Sequence, residues 1–181
     1  MQNNSSIFDK IKIGDLIFTR SEDWTGKVIR FVTQSEINHV AIYIGSGKII
    51  ESQLGHGVRR FNLQEYLNDK KCEVYLGKLK QIEQKQIEEA IKNAENLLSR
   101  PYDLTGQAGI LFKIIIVGMG LERLIKFYGK KVSKDKATFW CSELVIHVFA
   151  LAGAQLTEVD KRFATPEDLA RSNNIEFKNL A

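Results

Sequence analysis

The sequence has little proline and little cysteine: each occurs 2 times in 181 residues, and histidine occurs 3 times. No proline-rich or serine-rich linker, internal repeat or low-complexity segment divides the chain. Hydrophobic residues make up 44% and charged residues 27%, fractions close to globular averages that disfavour a disordered chain, a collagen-like chain and a coiled coil. The length is enough for one buried core, so we expect a single domain over residues 1–181.

The excess of one sign of charge is also small, because the chain has 26 Lys and Arg residues and 22 Asp and Glu residues. The resulting net charge of +4 permits contact with an anionic surface but does not indicate a nucleic-acid partner. There is no glycine motif of the kind that binds phosphate. His56 and His147 have no Cys, Asp or Glu partners at ligand spacing, so we expect neither a metal nor another cofactor, and His147 is expected to be a core residue.

The first residues, MQNNSSIFDKIK, do not contain a basic segment followed by an apolar one, so no signal peptide is visible. The two cysteines, Cys72 and Cys141, could form one disulfide, but nothing else indicates a secreted, disulfide-dependent domain. We therefore expect a reduced, cytoplasmic protein.

Hydrophobic periodicity predicts a mixture of strands and helices along the chain. The predicted strands are Val58–Asn62, Glu73–Leu79 and Ile11–Thr19, the last with a bend at Gly14-Asp15. The predicted helices are a short one over Trp24–Thr33, a piece around Leu63–Leu67, an amphipathic one at about Glu83–Ser99, and an apolar one over Cys141–Leu151 that stops at Gly153. A last helix is predicted from Thr165 as its N-cap and Pro166 as its first residue.

The clearest strand signal, NHVAIYIGSGKIIESQ, predicts a hairpin in which Gly45-Ser46-Gly47 joins His39–Ile44 to Lys48–Gln53. If Ile44 pairs with Lys48, Ala41 lies opposite Glu51. Strand side chains alternate, so one face then carries His39, Ala41, Tyr43, Glu51 and Gln53, and the other, apolar face carries Val40, Ile42, Ile44 and Ile50. His39 and Glu51 become diagonal neighbours whose long side chains can meet.

Cys141 begins the predicted buried helix, where unpaired amides and the helix dipole stabilise negative charge and favour the reactive thiolate. The same amides can bind a developing oxyanion. A thiol nucleophile also needs an imidazole within hydrogen-bond reach and a third polar group that orients the imidazole. The hairpin offers both on one face, as His39 and Glu51. The sequence therefore predicts that these three residues carry nucleophilic catalysis.

Each of the three residues also has a structural interpretation. A lone cysteine in an apolar helix is more often a packing residue. A lone histidine is more often found in a core or a turn than acting as a base, and a glutamate at a strand end is usually solvated. The occurrence of all three with matching geometry favours the catalytic interpretation.

Five motifs follow one another along the chain: GDLIF at 14–18, NHVAIYIGSGKIIES at 38–52, PYD at 101–103, WCSELV at 140–145 and TPEDL at 165–169. Together they resemble the circularly permuted branch of the NlpC-type papain-like cysteine hydrolases, the YiiX/YebB-like proteins. In this branch the histidine-bearing hairpin precedes the cysteine helix, and His39, Glu51 and Cys141 stand in that order. The resemblance covers most of the chain.

The resemblance implies an α+β, papain-like fold in which an antiparallel, partly barrel-like sheet packs against the Cys141 helix and the Glu83–Ser99 helix. It implies that Cys141 is the nucleophile, His39 the base and Glu51 the third polar residue. Tyr102 matches a tyrosine of the family that would line the substrate cleft or help to bind the oxyanion. A packing role for Tyr102 is an equal alternative.

The activity implied by the resemblance is cleavage of an amide bond through an acyl-enzyme intermediate. The implied substrates are cell-wall peptides or acylated small molecules and lipids, and the lack of a visible export signal makes the second group the more natural one. Two alternatives remain open. One is a thiol-dependent acyltransferase or esterase that acts on lipids, and the other is a non-catalytic binding module of the same fold.

An apolar insertion at about residues 105–130 has the sequence AGILFKIIIVGMGLERLIKFY over 108–128. Its continuous apolar stretch, about Gly109–Gly120, is interrupted by Lys113 and is too short to span a bilayer, which needs roughly 20 apolar residues. We expect an extra core helix or a dimer contact there. The alternative is an apolar lid or acyl-chain groove beside Cys141, which would place the lysines that follow at an anionic membrane surface. These lysines are Lys126, Lys130, Lys131, Lys134 and Lys136.

Overall fold

A computed structural model describes residues 5–23, 26–27, 30–31, 35–101, 139–161 and 164–180. In chain order the elements of these residues are α1 (Ser5–Phe8), β1 (Leu16–Ser21), β2 (His39–Gly45), β3 (Lys48–Gln53), β4 (Gly57–Asn62), α2 (Leu63–Asn68), β5 (Cys72–Leu79), α3 (Gln84–Asn96), α4 (Cys141–Leu151), α5 (Pro166–Ala170) and β6 (Ile175–Asn179). The mixture of helices and antiparallel strands confirms the expected α+β class.

The strands form a six-stranded sheet in the order β4-β3-β2-β1-β5-β6, with every neighbouring pair antiparallel. Strands β4 and β6 are its two edges, so the sheet is open. The order puts β2 and β3, which carry His39 and Glu51, in the interior of the sheet. An interior strand is hydrogen-bonded to a neighbouring strand on each side, and its fixed backbone makes it a good support for a rigid site.

The predicted hairpin is confirmed over its body, where Ile42 pairs with Ile50 and Tyr43 with Ile49. Near the turn the prediction is wrong by one residue, because Gly45 rather than Ile44 pairs with Lys48 and a register shift lies between Tyr43 and Gly45. Gly45 has φ of 93°, a left-handed conformation that glycine adopts without strain. It is therefore absorbed into β2 as a bulge, and the faces of β2 and β3 beyond it are unchanged.

The sheet is buried on both faces, which corrects the expectation of one apolar and one polar face. On the first face, Val40, Ile42 and Ile50 pack with residues of α3 and α4. On the second, which also carries His39 and Glu51, Tyr43 and Ile49 pack in another apolar cluster that includes Leu63 of α2 and Leu180. The correction has a simple cause: α2 and the chain termini cover the face that alternation alone left facing water.

The first strand begins later than predicted, at Leu16 rather than Ile11. Residues 12–15 form a turn in which the Asp15 carboxylate accepts a hydrogen bond from the Lys12 amide at 2.8 Å. Gly14 has φ of 93°, and a Cβ there would lie 2.3 Å from Cγ2 of Ile87 in α3. The GD pair of the GDLIF motif thus lets α3 pack closely against the start of the sheet.

The remaining elements differ from prediction in small ways. Helix α3 ends at Asn96 rather than Ser99, and α4 has the predicted bounds, with Gly153 just beyond it at φ of 74°. Strand β6 and helix α1 were not predicted. The predictions for residues 105–130, for the lysines after Tyr128 and for most of Trp24–Thr33 lie outside the described residues. In the parts of the chain that the structure describes, no helix is long and apolar enough to cross a membrane.

Candidate active site

His39 is the first residue of β2, and the segment before it is tied to the neighbouring strand. The Asn38 amide donates to the Thr19 carbonyl at 3.1 Å, and the Asn38 side-chain oxygen accepts from the Ser21 amide at 2.7 Å. Thr19 is also the pairing partner of His39 in the β1–β2 ladder. Because these contacts hold the backbone at Asn38 and at His39, the imidazole of His39 projects from a fixed backbone.

The TPEDL motif closes over the same segment from a distant part of the chain. One oxygen of Glu167, in α5, accepts hydrogen bonds from the Ser35 hydroxyl at 3.2 Å and from the Glu36 and Ile37 amides at 3.1 and 3.2 Å. Helix α5 is itself capped by Thr165, whose side chain accepts from the Asp168 amide, as predicted. Glu167 therefore acts as a clamp on the residues that lead into His39.

Replacement of Glu167 by Ala should destabilise the fold and misplace His39. Loss of the carboxylate removes three hydrogen bonds to a charged acceptor and leaves the Ile37 amide only the Ser35 hydroxyl oxygen at 3.2 Å. We expect this to lower the free energy of unfolding by about 2 kcal/mol. The matched control is Arg171→Ala, which removes only the exposed ion pair between Arg171 and Glu167 and should cost less than about 0.5 kcal/mol. Equal denaturation midpoints for the two variants would contradict a clamping role.

Cys141 is the first residue of α4 and is 5% exposed. Two buried serines fix the start of this helix. The Ser52 hydroxyl on β3 donates to the Phe139 carbonyl, and the Ser142 hydroxyl donates to the Ala164 carbonyl, each at 2.5 Å. The start of α4, and with it Cys141, is thus held by β3 on one side and by the residues just before α5 on the other.

The N-cap residue of α4, Trp140, makes no side-chain hydrogen bond to the first turn. A helix start without such a cap offers its amides to an anion, and the helix dipole adds to the attraction. The N-terminal end of α4, where Cys141 lies, is therefore suited to stabilise a thiolate or the oxyanion that a thiolate attack produces.

The Glu51 carboxylate is fully buried, with 0% of its side chain exposed, and it contacts His39 directly. Its Oε2 lies 2.8 Å from Nε2 of His39 and also accepts a hydrogen bond from the Tyr66 hydroxyl at 2.8 Å. Its Oε1 accepts from Nε of Arg59 at 2.8 Å. Burial raises the pKa of Glu51, but the bonds from His39 and Tyr66 and the charge of Arg59 outweigh it and hold the pKa below its usual range. Glu51 is therefore an anion.

His39 lies between Glu51 and Cys141. Burial lowers the pKa of the imidazole, but hydrogen bonds to the Cys141 and Glu51 side chains, together with their negative charge, outweigh burial and raise the pKa above its usual value. Since Nε2 is occupied by Glu51, Nδ1 is the ring nitrogen left for Cys141. The three side chains thus form a hydrogen-bonded array in which the His39 imidazole lies between a carboxylate and a sulfur atom.

A cavity of about 100 Å³ opens onto this array and is lined by both His39 and Cys141. Most of the other described residues of its wall are polar: Thr19, Ser21, Asp23, Asn38, Ser52, Gln53, Tyr66 and Asp69, along with Gly26, Leu54 and Cys72. Cys72, which the sequence offered only as a possible disulfide partner of Cys141, is a free cysteine that reaches the same cavity. Burial, followed by the nearby Asp69 carboxylate, raises the pKa of Cys72 to about 12. Cys72 is therefore a neutral thiol at physiological pH.

The structure thus brings together the predicted His39, Glu51 and Cys141, whereas Tyr102 lies outside the described residues. Sequence reasoning missed Arg59 and Tyr66. Extension of the predicted hairpin to Val58–Asn62 would have placed Arg59 opposite Glu51, which is its partner in the β3–β4 ladder. No local signal marks Tyr66, because its position depends on how α2 docks.

The two other histidines lie away from the array. His56 is exposed in a turn, and His147 is half-buried, stacked on Phe139 with ring centroids 5.0 Å apart, rather than a fully buried core residue. Burial and the Lys161 ammonium, whose Nζ is 3.0 Å from Nδ1, lower the pKa of His147. Among the described residues, no group of three or more His, Cys, Asp or Glu side chains could hold a metal ion.

Comparison with known proteins assigns the family of this chain and its fold. Residues 10–108, more than half of the chain, match the model of a family described as permuted papain-like amidase enzymes, the YaeF/YiiX or C92 family. The chain belongs to this family. The matched residues include His39 and Glu51, and Cys141 lies beyond them.

A curated relative is the probable lipoprotein peptidase YaeF of Escherichia coli (strain K12), which is 26% identical over 175 residues. The match takes in 88% of this chain but 62% of the relative, so the chain spans less than two thirds of that protein's length. Among solved structures, the metalloprotein YiiX from Escherichia coli O157:H7 matches with a TM-score of 0.61 at 15% identity, over 92% of this chain and 95% of that one. The YiiX likeness supports the permuted papain-like fold that the motif resemblance implied.

Proposed function

We propose that this protein is a cysteine hydrolase that cleaves an amide bond through an acyl-enzyme intermediate, with Cys141 as nucleophile, His39 as base and Glu51 as the residue that orients His39. The observation that carries the proposal is the array itself. Glu51 Oε2 is 2.8 Å from His39 Nε2, and His39 shares a hydrogen bond and a cavity wall with Cys141. Membership of an amidase family supports the reaction type.

In the proposed reaction the Cys141 thiolate attacks the carbonyl carbon of the amide, and the carbonyl electron pair moves onto oxygen. Amides at the start of α4 bind this oxyanion. The tetrahedral adduct collapses, the C–N bond breaks, and the imidazolium of His39 gives its proton to the departing amine. The products of this half are a free amine, a thioester on Cys141 and a neutral His39.

Deacylation uses the same groups, with His39 now acting as a base instead of an acid. Neutral His39 takes a proton from water as the water oxygen attacks the thioester carbon, and the second tetrahedral adduct expels the Cys141 thiolate. The proton stays on His39, so the thiolate and imidazolium are restored and a carboxylic acid is released. Throughout, the Glu51 carboxylate holds Nε2 and keeps Nδ1 directed at sulfur.

The substrate proposed is an amide with a polar portion, because the described wall of the cavity is lined mainly by hydroxyl, amide and carboxylate side chains. Both substrate groups implied by the resemblance include such molecules. The printed name of the relative YaeF, a probable lipoprotein peptidase, supports a peptide amide. If the substrate carries an acyl chain, we propose that the apolar residues 108–128 bind it. Tyr102 is proposed to line the cleft, as the motif match implies. Contact with an anionic membrane stays a prediction, tested by binding to anionic liposomes at low salt.

The activated thiol is tested by alkylation at pH 7 with a small amount of iodoacetamide. With a pKa of about 12, on the order of one Cys72 thiol in 10⁵ is ionised at that pH. We expect Cys141 to be labelled at least about 100-fold faster than Cys72, although Cys141 is the more buried of the two. Peptide mapping by mass spectrometry gives both rates in one sample.

The control for this experiment removes the imidazole. His39→Ala should slow labelling of Cys141 more than tenfold and leave the rate at Cys72 unchanged, whereas His56→Ala, at an exposed turn, should change neither rate. Equal rates at the two cysteines, or a Cys141 rate that does not depend on His39, would contradict the proposal.

A further inference from the structure

The Glu51 carboxylate is shared among more donors than the orientation of one imidazole requires. Three side chains from three different elements bind it: His39 from β2, Arg59 from β4 and Tyr66 from α2. His39 and Tyr66 bind the same oxygen, Oε2, and Arg59 binds Oε1. This inference rests on the proposed function, since it concerns how Glu51 acts on His39.

Arg59 is held rigidly against Glu51. The two residues are cross-strand partners in the β3–β4 ladder, and Nε and Nη2 of Arg59 each lie 2.8 Å from Oε1. The guanidinium also lies over the Phe61 ring, 4.2 Å from its centroid, and such a contact restricts its rotation. Its side chain is 26% exposed, so a cation reaches from the surface to a carboxylate that has no contact with water.

Tyr66 completes the same cluster from the other side. Its ring centroid lies 5.1 Å from Phe61 and 6.1 Å from His39. Burial and the neighbouring Glu51 carboxylate raise the pKa of Tyr66, so the phenol keeps its proton and donates a hydrogen bond to Oε2. The hydroxyl therefore competes with His39 for electron density on one oxygen atom.

A carboxylate in a dry site that had only an imidazole as partner would hold the imidazolium proton very firmly. That would obstruct the proposed cycle, in which His39 must release its proton to an amine and later become neutral to activate water. We propose that Arg59 and Tyr66 are positioning residues that share the Glu51 carboxylate with His39 and so limit how firmly Glu51 stabilises the imidazolium. They fix the direction of the carboxylate and weaken it as a partner for His39.

The charged and titratable groups that face His39 come from several elements of the described chain. They are Glu51, Cys141 and Tyr66, with Arg59 behind Glu51, and Asp23, Asp69 and Cys72 on the wall of the shared cavity. Substitution of Arg59 or Tyr66 leaves all the others in place. A change in the titration of His39 is then attributable to the shared carboxylate.

The test is an NMR titration of the three histidine rings in a Cys141→Ser background, which removes the coupled titration of the thiol. We expect Arg59→Met to raise the His39 pKa by about one unit, because the carboxylate loses a neighbouring cation, and Tyr66→Phe to raise it by a smaller amount. Arg59→Lys should restore the lower value. His56 and His147 serve as internal references in every sample.

Matched controls come from the same kinds of side chain outside the cluster. Arg60→Met removes an exposed arginine whose partner is Glu95, and Tyr75→Phe removes an exposed tyrosine hydroxyl that binds Glu73. Neither should move the His39 pKa. In protein with Cys141 intact, a rise of one unit should slow His39-dependent hydrolysis of the acyl-enzyme at neutral pH about tenfold.

A His39 pKa that stays constant or falls in both Arg59→Met and Tyr66→Phe, with the fold retained, would overturn the proposal. Loss of stability without a rise in the His39 pKa would also overturn it, because a merely structural role predicts that result. The titration needs no substrate. If the pKa rises as expected but no amide is hydrolysed by the wild-type protein, the shared carboxylate stands and the proposed function fails.

Discussion

The Cys141→Ser variant is expected to lose amide hydrolysis, with kcat/KM falling by at least about 10⁴-fold. A serine hydroxyl is far less acidic than a thiol, so the His39 imidazole cannot hold it as the anion that attacks the carbonyl. The substitution changes one atom at a position that is 5% exposed, so the fold should survive with a change in the free energy of unfolding of about 1 kcal/mol or less. Circular dichroism and a denaturation curve check this.

Cys72→Ser is the contrasting variant, because Cys72 lines the same cavity but has no contact with His39 among those observed. We expect its kcat to stay within about tenfold of wild type, with any larger effect confined to KM. Turnover that survives in Cys141→Ser would remove Cys141 from the role of nucleophile, and turnover that disappears in a folded Cys72→Ser would contradict the claim that Cys72 takes no part in the chemical step.

The Glu51→Gln variant is expected to damage both activity and stability. The amide has nearly the shape of the carboxylate but no charge, so the His39 imidazolium and the Arg59 guanidinium lose their buried partner. We expect kcat/KM to fall by about 10² to 10⁴-fold, as when the orienting carboxylate of a catalytic triad is neutralised. The free energy of unfolding should fall by about 3 kcal/mol, the cost of leaving a charge buried and unpaired.

The stability difference should depend on pH in a defined direction. The pKa of Glu51 is lowered from 4.5, so its contribution is present above that pH and is lost as the pH falls through the lower folded value. The pKa of His39 is raised from 6.5, so its contribution is full below that pH and is lost as the pH rises through the higher folded value. Wild type and Glu51→Gln should therefore differ most between about pH 4.5 and 6.5.

The matched control is Glu95→Gln, which neutralises an exposed glutamate paired with Arg60 and should cost less than about 0.5 kcal/mol at any pH. Denaturation curves at pH 4, 5.5 and 8 test the prediction. A Glu51→Gln variant as stable as Glu95→Gln at pH 5.5 would show that the buried carboxylate does not stabilise the fold.

Strand alternation predicted that His39 and Glu51 share a face, because side-chain direction in a strand has a period of 2 and needs no knowledge of the rest of the fold. The hairpin body kept its predicted pairs even though Gly45 shifted the turn by one residue. The same alternation misjudged the environment of that face. Whether a face meets water or apolar residues depends on what packs on it, and here α2 covers it.

The clamp by Glu167 shows why other parts of the site were not predicted. Its three hydrogen-bond donors lie about 130 residues earlier in the chain, and no pattern within the TPEDL motif refers to them. The resemblance to a family marked the motif, and the N-cap rule predicted its helix. The role of Glu167 as a clamp follows only from the packing of α5 against the residues before His39. Arg59 is intermediate, since the β3–β4 register places it opposite Glu51.

The most direct test of the central claim is the intact mass of the protein during turnover. Wild-type protein is mixed with a peptide amide that it hydrolyses and is quenched in acid within milliseconds. We expect an added mass equal to the acyl part of the substrate, located on Cys141 by peptide mapping and increased when neutral His39 is depleted at low pH. Hydrolysis that proceeds with no acyl adduct on Cys141, or with the adduct on another residue, would contradict the account.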